Sequence, residues 1–352
     1  MELPRALSMA LESRAQSADR ARLIMAAREL SERYRTRTGT GERLLTRDDE
    51  ALAYALTRMP ATHCAVRAAL SWALECFADR RDIHTLLDAG AGTGAAVWAA
   101  MEALNLGEIT CLEREAAMRR LGEELMREAK GADNGASAHH EHSCAQNPSA
   151  MTALSGPPAI TWLARDLTDA APLPRADLVI ASYVLGEQTD ALRLSLARRL
   201  LAAADKLLLI VEPGTPDGWA RLMALRRELS ARGGRVIAPC PHEQSCPIAG
   251  EDRCHFSVRV ARTKTHRQLK GADAPYEDEK FCYLALARAP ITPESLLAPA
   301  GARVLRHPYI GGGFVRLRLC TARGIIDETI TKKQGEAYKR ARKVCCGDVL
   351  SI

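Results

Sequence analysis

The feature that most constrains the fold is a series of five short apolar runs separated by longer amphipathic stretches. Most of the runs end in Asp, Glu or Gly, and they read HTLLDAG, EITCLER, AITWLARD, ADLVIASY and KLLLIVEP. Short apolar runs that alternate with helical patterns are typical of parallel strands joined by crossover helices. We therefore predict an α/β core with a Rossmann-like sheet.

The rest of the chain divides around this core. Apolar spacings of three and four predict a helical region over residues 1–80, followed by the core over 81–235 with a polar, aperiodic surface insertion at 131–158. A cysteine-rich loop with closing strands is expected at 236–290. Antiparallel strands around a Gly311–Gly313 turn, followed by a basic tail, are expected at 291–352.

A glycine-rich turn after the first run indicates a nucleotide cofactor. In LLDAGAGTGAA, Asp88 is followed by Gly90, Gly92 and Gly94 at the junction of a strand and a helix, where the backbone can approach a ligand closely. Glu113 ends the next strand, where a carboxylate can accept both ribose hydroxyls. The loose dinucleotide pattern also fits a nicotinamide-dependent dehydrogenase, so the glycines alone do not decide the cofactor.

The later strands favour S-adenosylmethionine. Asp166 ends the third run at a position that commonly contacts adenine, and Tyr183 follows the fourth run beside the expected substrate. Tyr183 is our candidate contact to a target base. The catalytic atom is unknown, because Ala181–Val184 lacks the prolines typical of amino-group methyltransferases.

Three closely spaced cysteines predict a metal site. Cys240, Cys246 and Cys254 lie in APCPHEQSCPIAGEDRCHF, and their spacing is not the paired arrangement of zinc ribbons. Zinc remains possible if His242 and His255 take part, while an iron–sulfur cluster needs a fourth thiolate from elsewhere. The candidates for that ligand are Cys282, Cys320, Cys345 and Cys346. The histidines and Cys144 of the 131–158 insertion are expected not to bind metal.

Several segments together resemble one family, the methyltransferase-like proteins associated with the mitochondrial small ribosomal subunit and their bacterial relatives. The segments are AYALTRMPAT, LLDAGAGTGAA, VEPGTPDGW, APCPHEQSCP, RTKTHRQLKG, YEDEKFCYL and YKRARKVCCGD. The resemblance implies a class I methyltransferase fold, a 4Fe-4S cluster in the C-terminal part, and a role in assembly of the small subunit through its RNA and proteins. It further implies that Cys320 is the fourth ligand beside Cys240, Cys246 and Cys254.

A basic run beside the cysteines is a candidate RNA contact. Its cations are Arg259, Arg262, Lys264, Arg267 and Lys270, with no acidic residue between them, and we interpret it as a strand or loop. Two functions follow: an RNA methyltransferase that uses S-adenosylmethionine, or an inactive assembly factor that uses the same fold as a binding platform. The net charge of +6 permits an RNA partner without requiring one.

Composition and hydropathy give the expected location. No segment approaches the roughly 20 continuous apolar residues that cross a bilayer, so we predict no membrane association. Acidic residues in the first 32 positions are atypical of organelle transit peptides, and the eleven cysteines are an odd number. We expect a cytoplasmic protein.

Overall fold

The described part of the N-terminal region is helical. The computed structural model describes residues 1–36, 43, 45–133, 156–248, 250–288 and 301–350. The helices are α1 (Arg5–Ser17), α2 (Arg20–Thr36), α3 (Asp48–Thr57) and α4 (Met59–Leu74). Buried leucines of α1 and α2 pack on α3 and on the core helix Ala116–Asp133, whereas α4 is buried along most of its length. The N-terminal helices therefore cover part of the core.

The five apolar runs form adjacent parallel strands. They are β1 (Thr85–Ala89), β2 (Glu108–Glu113), β3 (Ala159–Ala164), β4 (Ala176–Ser182) and β5 (Ala204–Pro213). Four crossover helices connect or follow them: α5 (Ala95–Ala103), α6 (Ala116–Asp133), α7 (Asp190–Ala203) and α8 (Pro216–Ser230). Residues 131–133 thus belong to α6, and 134–155 of the expected insertion, with its histidines and Cys144, lie outside the described residues.

The remaining strands complete a mixed sheet. They are β6 (Gly234–Ala238), β7 (Phe256–Ala261) and β8 (Tyr276–Arg288), and β8 runs antiparallel between β5 and β6. The order β3-β2-β1-β4-β5-β8-β6, with β7 paired to β8, is that of a class I methyltransferase. The prediction of a Rossmann-like methyltransferase core behind an N-terminal helical region is confirmed.

The C-terminal region forms a second, antiparallel sheet. Its strands are β9 (Ala302–Val304), β10 (Tyr309–Ile310), β11 (Phe314–Thr321), β12 (Gly324–Thr331) and β13 (Val349–Leu350), with α10 (Glu336–Ala341) packed on it. The Gly311–Gly313 turn joins β10 to β11. Within the described ranges, no helix has the length and apolar character needed to span a membrane.

The basic run is mostly a helix, so the interpretation as a strand or loop is wrong for its second half. Residues Lys264–Lys270 form α9, and the Thr263 hydroxyl caps it by accepting a hydrogen bond of 3.1 Å from His266 N–H. The helix packs against α2 and α3 through Leu269. It therefore lies on the N-terminal helices.

Candidate functional site

The glycine turn has the backbone that its sequence predicts. Gly90, Gly92 and Gly94 all have positive φ, of 79°, 56° and 88°. A Cβ on Gly90 would lie 2.6 Å from the Val184 side chain, whereas one on Gly92 would meet no atom within 4 Å. Gly90 is needed for close packing, and Gly92 leaves open space above the turn.

Glu113 is tied to this turn. Its carboxylate accepts hydrogen bonds from Gly92 N–H at 2.8 Å and from Glu115 N–H at 2.7 Å. Burial raises the pKa of Glu113, and these two backbone donors act against that rise. A carboxylate has about four acceptor positions, so two remain for ligand hydroxyls.

Asp88 is buried below the turn without a partner. Its side chain is fully shielded from solvent, and neither carboxyl oxygen has a hydrogen-bond partner among the described residues. Burial, with a smaller effect of the Glu113 charge, raises the pKa of Asp88 to about 8. An unpaired buried carboxyl is costly, and carboxyls with a strongly perturbed pKa are common at functional sites.

The cofactor pocket lies above the glycine turn, and we use that name for it below. Of the predicted cofactor residues, Gly90, Gly92, Glu113 and Asp166 line it, whereas Asp88 and Gly94 do not. Asp166 accepts a 2.8 Å hydrogen bond from Thr168 N–H and pairs with Arg114 at 3.3 Å. Tyr34, Tyr54 and Glu187 also line the pocket, and sequence analysis missed them.

Tyr183 has an unusual backbone conformation. Its φ of 58° is the only positive value of a non-glycine residue in the described ranges, a conformation that is strained for a bulky side chain. Its N–H donates to Val211 O at 2.8 Å, and its hydroxyl donates to Glu279 Oε1 at 2.9 Å. The ring lines the cofactor pocket, but the hydroxyl is already bonded to a residue of β8.

The four predicted metal ligands meet in one place. Cys240, Cys246, Cys254 and Cys320 line a single pocket, which we call the cysteine pocket, although Cys320 comes from β11 of the second sheet. The ten described cysteines are free thiols. Cys282 of β8 lines the pocket as well, but its thiol donates to Pro213 O at 3.3 Å.

The pKa values of Cys254 and Cys320 reflect burial first and the neighbouring thiols second. Burial and then the neighbouring thiols Cys240, Cys246 and Cys320 raise the pKa of Cys254 well above its usual range. Burial, followed by Cys240 and Cys246, raises the pKa of Cys320 to about 12. Deprotonation of all four thiols together therefore requires compensating positive charge.

Two buried arginines hold the loop that carries three of the cysteines. Arg226 of α8 donates to the carbonyls of His242 and Gln244 at 3.0 and 2.7 Å. Arg303 of β9 donates to Pro239 O at 3.1 Å and to Gly347 O at 2.7 Å. The loop is thereby fixed to both the core and the second sheet, with two cations near its thiols.

The cysteine pocket contains the thiol donors that a metal site needs. Among the residues that the structure describes, no group of three or more His, Cys, Asp or Glu side chains is placed to hold a metal ion as it stands. Four thiols in one pocket fit the ligand set of a 4Fe-4S cluster and also that of a structural zinc site. The chemistry of the donor set therefore fits either group.

Acidic residues neutralise much of the positive charge of the basic run through ion pairs. Arg259 pairs with Asp278 at 2.9 Å, while Arg262 and Lys270 pair with Glu277 at 2.5 and 3.0 Å. Lys264 is exposed and has no such partner in the described ranges, and Arg267 donates only to Asp273 O at 3.4 Å. Of the five predicted RNA contacts, these last two are the most available.

Sequence comparison identifies the family. The family described as Mitochondrial small ribosomal subunit Rsm22 matches residues 48–351. The chain belongs to the Rsm22 family. The human protein named "Ribosome assembly protein METTL17, mitochondrial" is 28% identical over 285 residues, which cover 76% of this chain and 56% of the human protein. The Rsm22-family chain thus spans just over half the length of this relative.

Structural comparison returns methyltransferases at low similarity. Magnesium protoporphyrin IX methyltransferase from Synechocystis, solved with bound S-adenosylmethionine, is 13% identical with a TM-score of 0.37, covering 73% of this chain and 90% of that one. A TehB-like S-adenosylmethionine-dependent methyltransferase from Corynebacterium glutamicum is also 13% identical, with a TM-score of 0.36, covering 63% and 87%.

Proposed function

We propose that this Rsm22-family protein assists assembly of the small ribosomal subunit by contacting its RNA, binds S-adenosylmethionine in the cofactor pocket, and holds a 4Fe-4S cluster on Cys240, Cys246, Cys254 and Cys320. The observation that carries the proposal is that these four thiols, from two regions of the chain, line one pocket. Zinc in the same pocket is the alternative.

The cofactor part of the proposal rests on the glycine turn. Gly92 leaves space above the backbone, Glu113 keeps two acceptor positions for ribose hydroxyls, and Asp166 lies at the wall where adenine would be read. S-adenosylmethionine, when bound, supplies an electrophilic methyl group.

The cysteine part gives the metal a structural role. The loop at 239–255 joins β6 to β7, and β11 belongs to the second sheet, so ligands from both would connect the sheet to the core. Arg226 and Arg303 supply positive charge beside the thiolates. Because metal binding energy adds to folding energy, loss of one ligand should weaken the C-terminal half.

A second candidate function is an inactive platform that keeps the cofactor fold without transferring a methyl group. Two observations favour it: Ala181–Val184 lacks an amino-group methylation motif, and the hydroxyl of Tyr183 is bonded to Glu279. RNA contact in either case would use Lys264 and Arg267, whose charges are the least compensated of the basic run.

Complementation separates the two functions. Cells that lack the endogenous gene would express the wild-type chain, Gly92→Asp, Cys246→Ser or the control Cys282→Ser, and small subunits would be quantified by sedimentation. We expect Cys246→Ser to lose mature subunits and Cys282→Ser to retain them. Loss with Gly92→Asp supports a cofactor-dependent role, and normal assembly supports the platform. Normal assembly with no chain expressed would contradict the proposal altogether.

A further inference from the structure

A large cavity adjoins the cofactor pocket. Its volume is about 570 Å³, within the usual range of about 300–1,000 Å³ for small-molecule sites. Four side chains line both the cavity and the cofactor pocket, namely Tyr34, Tyr54, Tyr183 and Glu187. The cavity, which we call the acceptor cavity, therefore opens beside any ligand that the glycine turn holds.

Aromatic rings dominate the boundary between the two spaces. The rings of Tyr34 and Tyr54, from α2 and α3, lie 6.1 Å apart between centroids and are tilted by 38°. Tyr183, which follows β4 of the sheet, adds a third ring; its backbone has a positive φ and its hydroxyl is bonded to Glu279. Flat aromatic walls of this kind favour a planar ligand, because stacking is their main attractive interaction.

Glu187 places a carboxyl group at this boundary. Its side chain makes no hydrogen bond or ion pair with the described residues, whereas the neighbouring Glu212 is bonded to Arg221 and to Gly186 N–H. Burial raises the pKa of Glu187 to about 8, so near neutral pH it can both donate and accept. A planar ligand with polar groups on its edge would complement it.

The outer rim of the cavity is cationic. Arg28 and Arg35 are exposed lining residues, and Arg35 is paired with Glu32. Lys270, whose charge is balanced by Glu277, also lines the cavity, and Arg58 lies 3.6 Å from Glu279. Exposed cations at the rim can contact the phosphates of a nucleic acid, while the aromatic interior of the cavity can hold one of its bases.

We propose that the acceptor cavity binds one unstacked nucleobase of RNA between the tyrosines, with Glu187 hydrogen-bonded to the polar edge of the base. The base would enter from a single-stranded or flipped-out nucleotide, whose phosphates remain at the cationic rim. This inference rests on the proposed function for the cofactor at the glycine turn and for RNA as partner. It holds equally if no methyl group is transferred.

The test uses the full chain saturated with S-adenosylmethionine and titrated with AMP, CMP, GMP, UMP and ribose 5-phosphate. We expect at least one nucleotide to bind at least tenfold more tightly than ribose 5-phosphate. Glu187→Leu should weaken binding of that nucleotide about tenfold, because a leucine side chain can neither donate nor accept the hydrogen bond to the base. The matched control is Glu123→Leu, at an exposed position on α6 outside the cavity, which should change nothing.

A second variant keeps the test decisive if the Glu187 variant does not fold. Tyr54→Leu removes one aromatic wall and should weaken nucleotide binding while ribose 5-phosphate is unaffected. Equal binding of ribose 5-phosphate and all nucleotides, or an unchanged nucleotide affinity in both folded variants, would overturn the inference. Failure of the wild-type chain to bind S-adenosylmethionine would instead count against the proposed function, so the two failures are distinguishable.

Discussion

Gly92 N–H donates a hydrogen bond of 2.8 Å to the carboxylate of Glu113, which joins the glycine turn to the end of the second strand. Both residues line the cofactor pocket, and a Cβ on Gly92 would point into space free of other atoms. The turn and the carboxylate that we propose to bind ribose are therefore one unit.

The first prediction concerns Gly92. In Gly92→Asp the new side chain would occupy the cofactor pocket and place a charge next to Glu113, so affinity for S-adenosylmethionine should fall at least a hundredfold by calorimetry. The control is Gly233→Asp, because Gly233 also has positive φ and open surroundings but lies outside the pocket. Both variants should lose similar stability from backbone strain. Equal cofactor affinity in the two variants would contradict the assignment.

The second prediction concerns Asp88 and pH. Its pKa is about 8 in the folded protein against an ordinary value of 3.8, so between those values the folded chain binds a proton that the unfolded chain lacks. The contribution of Asp88 to the free energy of unfolding is therefore largest at low pH and is lost as pH rises to about 8.

Replacing Asp88 by asparagine, which does not titrate, removes this pH-dependent loss of stability. The stability of Asp88→Asn relative to the wild type should increase by about 2 kcal/mol between pH 6 and pH 8, by integration of the proton-binding difference. Urea unfolding of the cofactor-free protein at several pH values measures this directly. If the free energies of unfolding of the two proteins changed with pH in parallel, Asp88 would be ionised in the folded state, which would contradict the prediction.

The third prediction concerns Arg303, which links the cysteine loop to the second sheet. Arg303→Met leaves the buried carbonyls of Pro239 and Gly347 without a donor and should lower the free energy of unfolding by about 3 kcal/mol. The control Arg318→Met removes partly exposed ion pairs with Asp252 and Asp327 and should cost less than about 1 kcal/mol. Comparable losses in urea unfolding would mean that Arg303 does not clamp the loop.

The fourth prediction concerns RNA affinity. Lys264→Ala should weaken binding to small-subunit RNA and reduce the salt dependence by about one counterion, because this exposed lysine is free to contact phosphate. Arg259→Ala should have a smaller effect, since Asp278 already pairs with that cation. Titrations at several salt concentrations give both quantities, and an identical salt slope in the two variants and the wild type would exclude this surface.

Local patterns sufficed to predict the core. The apolar runs, the glycine turn and Glu113 depend on strand and turn chemistry within short segments, so their positions follow from sequence. The helix at Lys264–Lys270 was missed because seven residues give too few turns for a clear period, although Thr263 before it was an available capping signal.

Contacts between segments that are far apart in the chain could not be predicted from local sequence patterns. Spacing left four candidates for the last thiol, and only the family resemblance selected Cys320, which the fold of β11 places at the cysteine pocket. Tyr34 and Tyr54 were missed because α2 and α3 reach the cofactor pocket only through tertiary packing. Glu187 was missed because it lies in the short turn Leu185–Glu187 after β4, where no local pattern marks a glutamate as buried.

The most direct test of the central claim is the iron, sulfide and zinc content of anaerobically purified protein, together with its absorption spectrum. We predict about four irons and four sulfides per chain with broad absorption near ~400 nm, as for a cysteine-ligated cluster. About one zinc per chain without sulfide would contradict the cluster and leave a structural zinc site in the cysteine pocket.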